Sequence, residues 1–358
     1  LTDANGFLYG LGVAPGADLI VGKVLANDGF GQESWIIDGM EWAADNADVV
    51  NMSLGTTEAS DGTDPMAVAL NTISQETDTL FVVAAGNNGM VSGIGSPGAA
   101  EAALTVGAVD GMDYRTWFTS MGPRLGDALV KPDLSAPGDD VLAARSQASP
   151  GEGWYTSMSG TSMASPHIAG AAALLLQDDP DLSSVELKNT LMSSSFPLSE
   201  GPFQLGAGRL DVPAALDAEV VATGSISFGY FDWPHEDDAP VTRTVTYTND
   251  GASETTLTLR VEGGDDLGGT LPDGLTALSA SEVVVPAGGT ATVDVTLDST
   301  VAPVGRTLSG FLIASADGTD VARTGWGLMK EEERYDLTLR ATDLAGAPAL
   351  AYVVLQGR

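Results

Sequence analysis

The chain of 358 residues carries 49 acidic and 15 basic side chains, a formal net charge of −34, and is long enough for two or more domains. A surface this acidic repels polyphosphates and anionic membranes, which argues against nucleic acid as a partner. The sequence has no cysteine, so disulfides and thiolate chemistry are excluded, and no apolar run reaches the length of a membrane span.

Strands and helices alternate in the first part of the chain. Short apolar runs predict strands over 19–25, 48–54 and 79–85, and apolar residues at helical spacing predict helices over about 34–46 and 65–76. Such alternation indicates an α/β domain with a mostly parallel sheet. Because ligands of these sheets bind beyond the carboxyl ends of the strands, the loops that follow the second and third strands are candidate site segments.

The stretch 157–170 reads Ser-Met-Ser-Gly-Thr-Ser-Met-Ala-Ser-Pro-His-Ile-Ala-Gly and runs into an apolar segment that meets no charge until Asp178. This pattern predicts a tight turn that leads into a buried helix, with Ser162 in the first turn. Backbone N–H groups there lack intrahelical partners and the helix dipole is positive, so negative charge on an attacked carbonyl oxygen would be stabilised. An isolated Gly-Thr-Ser would more often be a plain helix cap.

The complete stretch resembles the nucleophile motif of the subtilisin-like serine proteases. Further segments in family order extend the resemblance over about the first 217 residues; they are 12–15, 51–55, 84–89, 117–123, 131–138 and 206–211. The resemblance implies an α/β fold, with a subtilisin-like mostly parallel sheet and helices on both faces. It also implies that Ser162 is the nucleophile and that the Asn87 side-chain amide donates to the oxyanion, with the Ser162 N–H as second donor.

By the same resemblance, an extended polypeptide substrate binds along the edges of two loops. The implied substrate-binding residues are Ser53, Leu54 and Gly55 on one side, Ala84, Ala85 and Gly86 on the other, and Gly95 at the pocket floor. Backbone pairing of this kind supplies affinity with little demand on sequence, and a glycine at the floor leaves room for a side chain. Without the serine motif, these Gly- and Asn-rich stretches would be read as turns.

The sequence contains two histidines, and neither is a suitable general base for Ser162. His167 lies five residues further along the same helix, about 140° around its axis, and is expected to pack in the core. His235 lies in a loop of the second domain. Asp133, in a Pro-bounded turn, is interpreted as structural. Since the family carries Asp and His before the serine, the resemblance implies that both belong to an N-terminal part absent from this chain, which alone lacks its base.

Apolar and polar residues alternate after about residue 218, most clearly over 241–248, 255–261 and 291–297. Residues 249–251 and 286–289 predict hairpin turns. The pattern is typical of a fibronectin- or immunoglobulin-like β-sandwich. The predicted domains are therefore a peptidase domain over 1–217, a sandwich over 218–329 and the start of a third β-rich module over 330–358.

These features predict the C-terminal part of a secreted serine endopeptidase that acts on polypeptides through an acyl-enzyme on Ser162, preceded by a propeptide or another N-terminal segment. Two alternatives stay open: a non-catalytic relative that binds peptides, and an extracellular adhesion or binding protein whose sandwich carries the function. The resemblance implies no required cofactor. Structural calcium remains an option, since Asp3 and Asn5 offer oxygen ligands, although no spaced Asp/Asn loop is present.

Overall fold

The computed structural model describes residues 12–335 and 337–350. Up to residue 216, helices alternate with short strands, as predicted. The helices are α1 Glu33–Ala44, α2 Pro65–Thr77, α3 Thr161–Asp178, α4 Ser184–Ser193, α5 Pro202–Leu205 and α6 Val212–Leu216. The strands are β1 Val49–Met52, β2 Leu80–Ala84, β3 Leu104–Val109, β4 Leu134–Pro137, β5 Val141–Ala144 and β6 Tyr155–Met158.

Strands β1 to β4 form a parallel sheet in chain order, and helices cover both of its faces. Leu80 and Val82 of β2 pack on one face together with α3 and α4. The alternate residues Phe81 and Val83 pack on the other face with α1 and α2. Both sets are fully buried, which explains why β2 reads as a continuous apolar run. The predicted subtilisin-like α/β architecture is confirmed.

One predicted strand of this region is wrong, because residues 19–25 have an irregular backbone. Leu19 and Val21 are 87% and 80% exposed. The segment lines a cavity of about 1020 Å³ whose other walls come from α1, β1 and α3. A strand completes its backbone hydrogen bonds only through a neighbour, and no described strand pairs with this segment. The apolar composition is thus not sufficient to make it a strand.

The chain from Val220 to Lys330 forms two packed sheets. The strands are β7 Val220–Ala222, β8 Ser225–Phe231, β9 Val241–Asn249, β10 Thr255–Asp265, β11 Thr276–Leu278, β12 Glu282–Val285, β13 Gly289–Leu297, β14 Arg306–Ala316 and β15 Thr319–Lys330. One sheet has the order β12-β10-β14-β15-β8 and the other β11-β13-β9-β7. Apolar residues from both sheets, among them Tyr247 and Trp326, form one shared core. The arrangement is the predicted sandwich.

The two predicted hairpin turns are wrong. Residues 249–251 join β9 to β10 and residues 286–289 join β12 to β13, but each connection passes from one sheet to the other. The buried Asn249 side chain fastens the first crossing, because its Nδ2 donates to the carbonyls of Ser253 and Val285. The alternation of apolar and polar residues identifies a strand, and turn residues identify its ends. Neither identifies the strand with which it pairs, because that depends on which sheet has a free edge.

The sandwich packs directly on the α/β region through α4 and α5, which contact β7, β14 and β15. Phe203 of α5 is buried against Gly327 of β15, where an added Cβ would lie 2.3 Å from its ring. Beyond the sandwich, residues 337–350 contain a single isolated bridge between Thr342 and Pro348. Most of the apolar sequence 349–355 lies outside the described residues, and the third module predicted over 330–358 stays a prediction.

Candidate active site

Ser162 lies in the first turn of α3. It follows Gly160, which is the N-cap residue, and Thr161, which is the first residue of the helix. Backbone N–H groups in a first turn have no carbonyl one turn before them, and they form the positive end of the helix dipole. The Ser162 hydroxyl donates to the carbonyl oxygen of Ser53 at 3.2 Å. The predicted nucleophile therefore lies at the carboxyl end of β1. The N–H of Thr161 donates to Asn87 Oδ1 and those of Met163 and Ala164 donate to the Gly160 carbonyl, so the Ser162 N–H is the first-turn donor left without a partner in the described part of the chain.

Asn87 follows β2 and is oriented by Thr161. The backbone N–H and the hydroxyl of Thr161 both donate to Asn87 Oδ1, at 2.9 and 3.0 Å. In the described part of the chain, Asn87 Nδ2 donates to no protein group. A Cβ added to Gly160 would lie 3.4 Å from this Nδ2 and 3.7 Å from the Ser162 backbone N. A carbonyl oxygen placed beside the Gly160 α-carbon would therefore lie close to two N–H donors, Asn87 Nδ2 and the Ser162 backbone N. This is the arrangement of an oxyanion hole.

Thr161 has a role that the sequence analysis did not assign. Its side chain is fully buried, and its hydroxyl also accepts a hydrogen bond from the Gly86 N–H at 3.2 Å. Thr161 therefore joins the end of β2 to the start of α3 and fixes which end of the Asn87 amide faces the site. The position of Thr161 directly before Ser162 is visible in the sequence, but by itself it indicates only that Thr161 belongs to the motif.

The other predicted substrate-binding residues lie on two loops around Ser162. Ser53 touches the nucleophile directly, whereas Leu54 is half-buried against the core formed with α1 and α2. The methyl groups of Ala84 and Ala85 are buried, so these residues can offer only backbone to a ligand. Gly86 has φ +105°, and a Cβ there would lie 2.8 Å from Ser120 Oγ, so this position requires glycine.

Gly95 does not border an open space, contrary to the expectation that it leaves room for a side chain. It is buried, and a Cβ added to it would lie 2.4 Å from the carbonyl oxygen of Thr56 and 3.2 Å from that of Glu58. The loop after β1 fills this position. Gly95 is therefore required by the close approach of that loop.

Neither histidine contacts Ser162. His167 Nδ1 donates to the Met163 carbonyl at 2.9 Å, one turn back on the same helix. His235 Nε2 donates to the Glu331 carbonyl at 3.0 Å, within the sandwich region. Since carbonyl oxygens only accept, each of these ring nitrogens carries a proton. Neither ring is placed to accept the Ser162 proton.

Asp133 belongs to a buried charge cluster. Lys131 Nζ donates to Asp133 Oδ2 at 2.6 Å, Lys188 Nζ lies 3.1 Å from Asp133 Oδ1, and the Thr105 N–H donates to Oδ2 at 2.7 Å. Burial would raise the pKa of Asp133, but the two ammonium groups hold it below its ordinary range. Burial also lowers the pKa of Lys131 to about 7, against the attraction of Asp133. The cluster joins β3, β4 and α4 and accounts for Asp133 structurally.

Within residues 12–335 and 337–350, no three His, Asp or Glu side chains form a group that could hold a metal ion. The candidate calcium ligands Asp3 and Asn5 lie outside the described residues. None of the helices in the described ranges is both long and apolar enough to cross a membrane.

Known proteins resemble the chain over the region that contains this site. Residues 2–237 match the model of the subtilase family, peptidase S8. The chain is 38% identical over 212 residues to Subtilisin NAT of Bacillus subtilis subsp. natto, covering 57% of this chain and 50% of that protein. It is equally identical over 212 residues to a subtilisin of Bacillus pumilus, covering 70% of that protein.

Pyrolysin of Pyrococcus furiosus is 38% identical over 195 residues, which cover 46% of this chain and 14% of pyrolysin. The chain therefore spans about half the length of several curated relatives that it matches, and a much smaller part of this one. The family match covers more than half of the chain and includes β1, β2 and the start of α3, where Ser162 and Asn87 lie. The chain belongs to the subtilase family.

Proposed function

We propose that this protein is a serine endopeptidase that cleaves polypeptides through an acyl-enzyme on Ser162. The observation that carries the proposal is the orientation of Asn87: Thr161 holds its Oδ1, so its Nδ2 remains free beside Gly160 and the Ser162 N–H. These two donors would stabilise the oxyanion that forms when Ser162 Oγ attacks a peptide carbonyl. Family membership supports the same reaction.

The reaction requires a base for the Ser162 proton, since a serine hydroxyl is a poor nucleophile at neutral pH. In the proposed mechanism this base is a histidine other than His167 and His235, and an acidic side chain orients it. The base takes the hydroxyl proton during attack and returns it to the leaving amine, and water then hydrolyses the acyl-enzyme in a second round. Asn87 and the Ser162 N–H act in both rounds.

The remaining features extend the proposal. Residues 1–217 would form the peptidase domain, 218–329 a sandwich that packs on it through α4 and α5, and 330–358 the beginning of a further module. We also infer that the enzyme is secreted, and its membership of the subtilase family supports this location.

Labelling with a fluorophosphonate probe tests the proposal. The probe is applied to this chain, to a longer form that includes any coding sequence upstream of Leu1, and to the Ser162→Ala variant of each. Labelling that requires Ser162 and is much faster in the longer protein supports a serine peptidase with an external base. If neither form is labelled although both are folded, the peptidase proposal fails, and a peptide-binding role becomes the better account.

A further inference from the structure

His235 belongs to a shielded polar cluster in the sandwich region, which the proposed reaction does not use. Its Nε2 donates to the Glu331 carbonyl at 3.0 Å, and its Nδ1 lies 3.4 Å from Asp238 Oδ2. The side chains of His235 and Asp238 are 9% and 8% exposed. In the described part of the chain, Nδ1 and Oδ2 are shielded from solvent, and neither forms a hydrogen bond with another group. Because a buried polar atom without a hydrogen bond is costly, this pair requires an explanation.

One additional proton satisfies both atoms. The Glu331 carbonyl only accepts, so His235 Nε2 carries a proton, and in a neutral ring the lone pair of Nδ1 would face the Asp238 carboxylate. With a proton on Nδ1 as well, the ring is a cation that donates to the carbonyl on one side and to the carboxylate on the other. The arrangement of acceptors therefore favours the charged form of His235.

Lys330 adds a second cation to the same carboxylate. Its Nζ lies 3.2 Å from Asp238 Oδ2 and donates to the Ser299 carbonyl at 2.8 Å, and the Asp298 carboxylate also acts on this charge. An ammonium group at this distance repels a metal cation, so His235 and Asp238 do not form a metal site. Lys330 also leaves Asp238 paired with a positive charge when the histidine ring is neutral.

The Glu331 side chain lies on another side of the cluster. Its Oε2 accepts from the Trp233 N–H at 3.0 Å, and its Oε1 lies 2.6 Å from Arg334 Nε. The Trp233 N–H and the Tyr230 hydroxyl hold the pKa of Glu331 below its ordinary range, whereas burial and the Glu331 carboxylate raise the pKa of Tyr230 to about 12. Neither group changes its charge between about pH 6 and 9, the range in which histidine is the side chain that ordinarily does so.

The histidine ring holds the chain where it leaves the last strand of the sandwich. Residues 331–335, here called the junction segment, follow β15. The Glu331 carbonyl accepts from His235, and the Trp233 ring contacts both His235 and Tyr335, with ring centroids 5.4 and 6.1 Å apart. We propose that His235 is a pH-dependent latch: with both ring nitrogens protonated it holds the junction segment on the sandwich, and loss of the Nδ1 proton releases it.

Release follows from the same contacts. A neutral ring leaves a lone pair and a carboxylate oxygen facing each other without water, and the ring relieves this repulsion by turning away from Asp238. The turn breaks the bond from Nε2 to the Glu331 carbonyl and the contact with Trp233. Since the latched state binds one more proton, the latch weakens as pH rises.

Nuclear magnetic resonance of protein labelled with ¹⁵N-histidine tests the protonation. The chain has two histidines, and His235→Gln identifies the signals of His235. We expect both ring nitrogens of His235 to be protonated at about pH 6. In Asp238→Asn, the ratio of protonated to unprotonated Nδ1 at about pH 7 should fall by about tenfold, because the carboxylate charge is lost. Asp237→Asn, at an exposed carboxylate of the same turn, is the matched control and should leave the ratio unchanged.

Trypsin cleavage tests the release. The Ser162→Ala form of this chain is used so that it does not digest itself, and cleavage after Arg334 is divided by cleavage after Arg340, which cancels the pH dependence of trypsin. We expect this quotient to rise by about tenfold from about pH 6.5 to 8.5. In His235→Gln it should be nearly independent of pH, because glutamine does not titrate. A merely structural role for His235 would raise the quotient in the variant but leave its pH dependence.

Two results would overturn the latch. One is an unprotonated His235 Nδ1 at about pH 6, or an equal effect of Asp238→Asn and Asp237→Asn, since the carboxylate would then not hold the proton. The other is a quotient that does not change with pH in the chain with His235, or that changes equally in His235→Gln. Neither test requires peptidase activity, so failure of the latch leaves the proposed function intact.

Discussion

Ser53 and Ser162 exchange two hydrogen bonds although 109 residues separate them in the chain. Ser53 Oγ donates to the Ser162 carbonyl at 2.8 Å, and Ser162 Oγ donates to the Ser53 carbonyl at 3.2 Å. Pro166 explains the first bond: a helical carbonyl pairs with the N–H four residues later, and proline has none. Ser53 supplies the donor that α3 lacks, and the second bond holds the nucleophile at the end of β1.

Replacement of Ser53 tests this pairing. In Ser53→Ala the Ser162 carbonyl loses its donor, which should lower the free energy of unfolding by about 1 kcal/mol and loosen the first turn of α3. We expect the rate of fluorophosphonate labelling of Ser162 to fall by about tenfold in the natural protein. Thr57→Ala is a suitable control, because among the described residues the exposed Thr57 hydroxyl forms a hydrogen bond only with Glu58. Equal labelling rates for both variants would contradict a positioning role for Ser53.

The Asn87→Asp variant separates the two roles of the Asn87 side chain. The carboxylate keeps an oxygen for the N–H and hydroxyl of Thr161, so folding should be retained, but it replaces the free Nδ2 donor with an acceptor. We expect kcat to fall by about 10² to 10³, the loss typical of removing one oxyanion-hole donor. Steady-state kinetics and thermal unfolding of the same preparation check both parts. An active variant would remove Asn87 from the proposed oxyanion hole.

Phe203 should couple the α/β region to the sandwich. Its ring is 1% exposed and lies against Gly327, so Phe203→Ala leaves a cavity at the contact between α5 and β15. We expect a loss of about 3 to 5 kcal/mol in the free energy of unfolding and a separation of the unfolding transitions of the two regions. Calorimetry measures both effects. The exposed Phe30 provides the control substitution Phe30→Ala, and a single unchanged transition in Phe203→Ala would argue against coupling through this residue.

The buried cluster around Lys131 predicts a pH dependence of stability. With a folded-state pKa of about 7 and an unfolded-state value near 10.5, Lys131 binds more protons in the unfolded state between these pH values. The free energy of unfolding should therefore rise by about 1 kcal/mol per pH unit above about pH 7. Below the folded-state pKa, Lys131 should cause no such rise.

Chemical denaturation at about pH 7, 8 and 9 measures this slope. In Lys131→Met the titrating group is gone while Lys188 still faces Asp133, so the slope should become flatter. Lys23→Met, at an exposed lysine, should retain it. An identical slope in Lys131→Met and the unmodified protein would show that Lys131 keeps its proton in the folded state.

Several elements followed from local patterns. The capping box of Ser183 and Glu186, whose residue types and spacing are visible in the sequence, is present at the start of α4. The elements α1, α2, β1 and β2 all begin and end within two residues of their predicted positions. Caps, apolar spacing and helix starts depend on neighbours in the chain, and the sequence shows those neighbours directly. The position of Ser162 in the first turn of α3 also followed from its neighbours in the chain. Pro166 leaves the Ser162 carbonyl without its helical donor, but which residue supplies another donor depends on the fold.

The tertiary structure decided which distant groups meet. The orientation of Asn87 depends on Thr161, and the pairing of Ser53 with Ser162 depends on how β1 approaches α3. The close packing at Gly95 depends on the path of residues 56–58. Similarly, the apolar run 19–25 is not a strand, and residues 249–251 pass between sheets. Each of these outcomes depends on which backbone groups and surfaces are available in space, and a one-dimensional pattern carries no information about that availability.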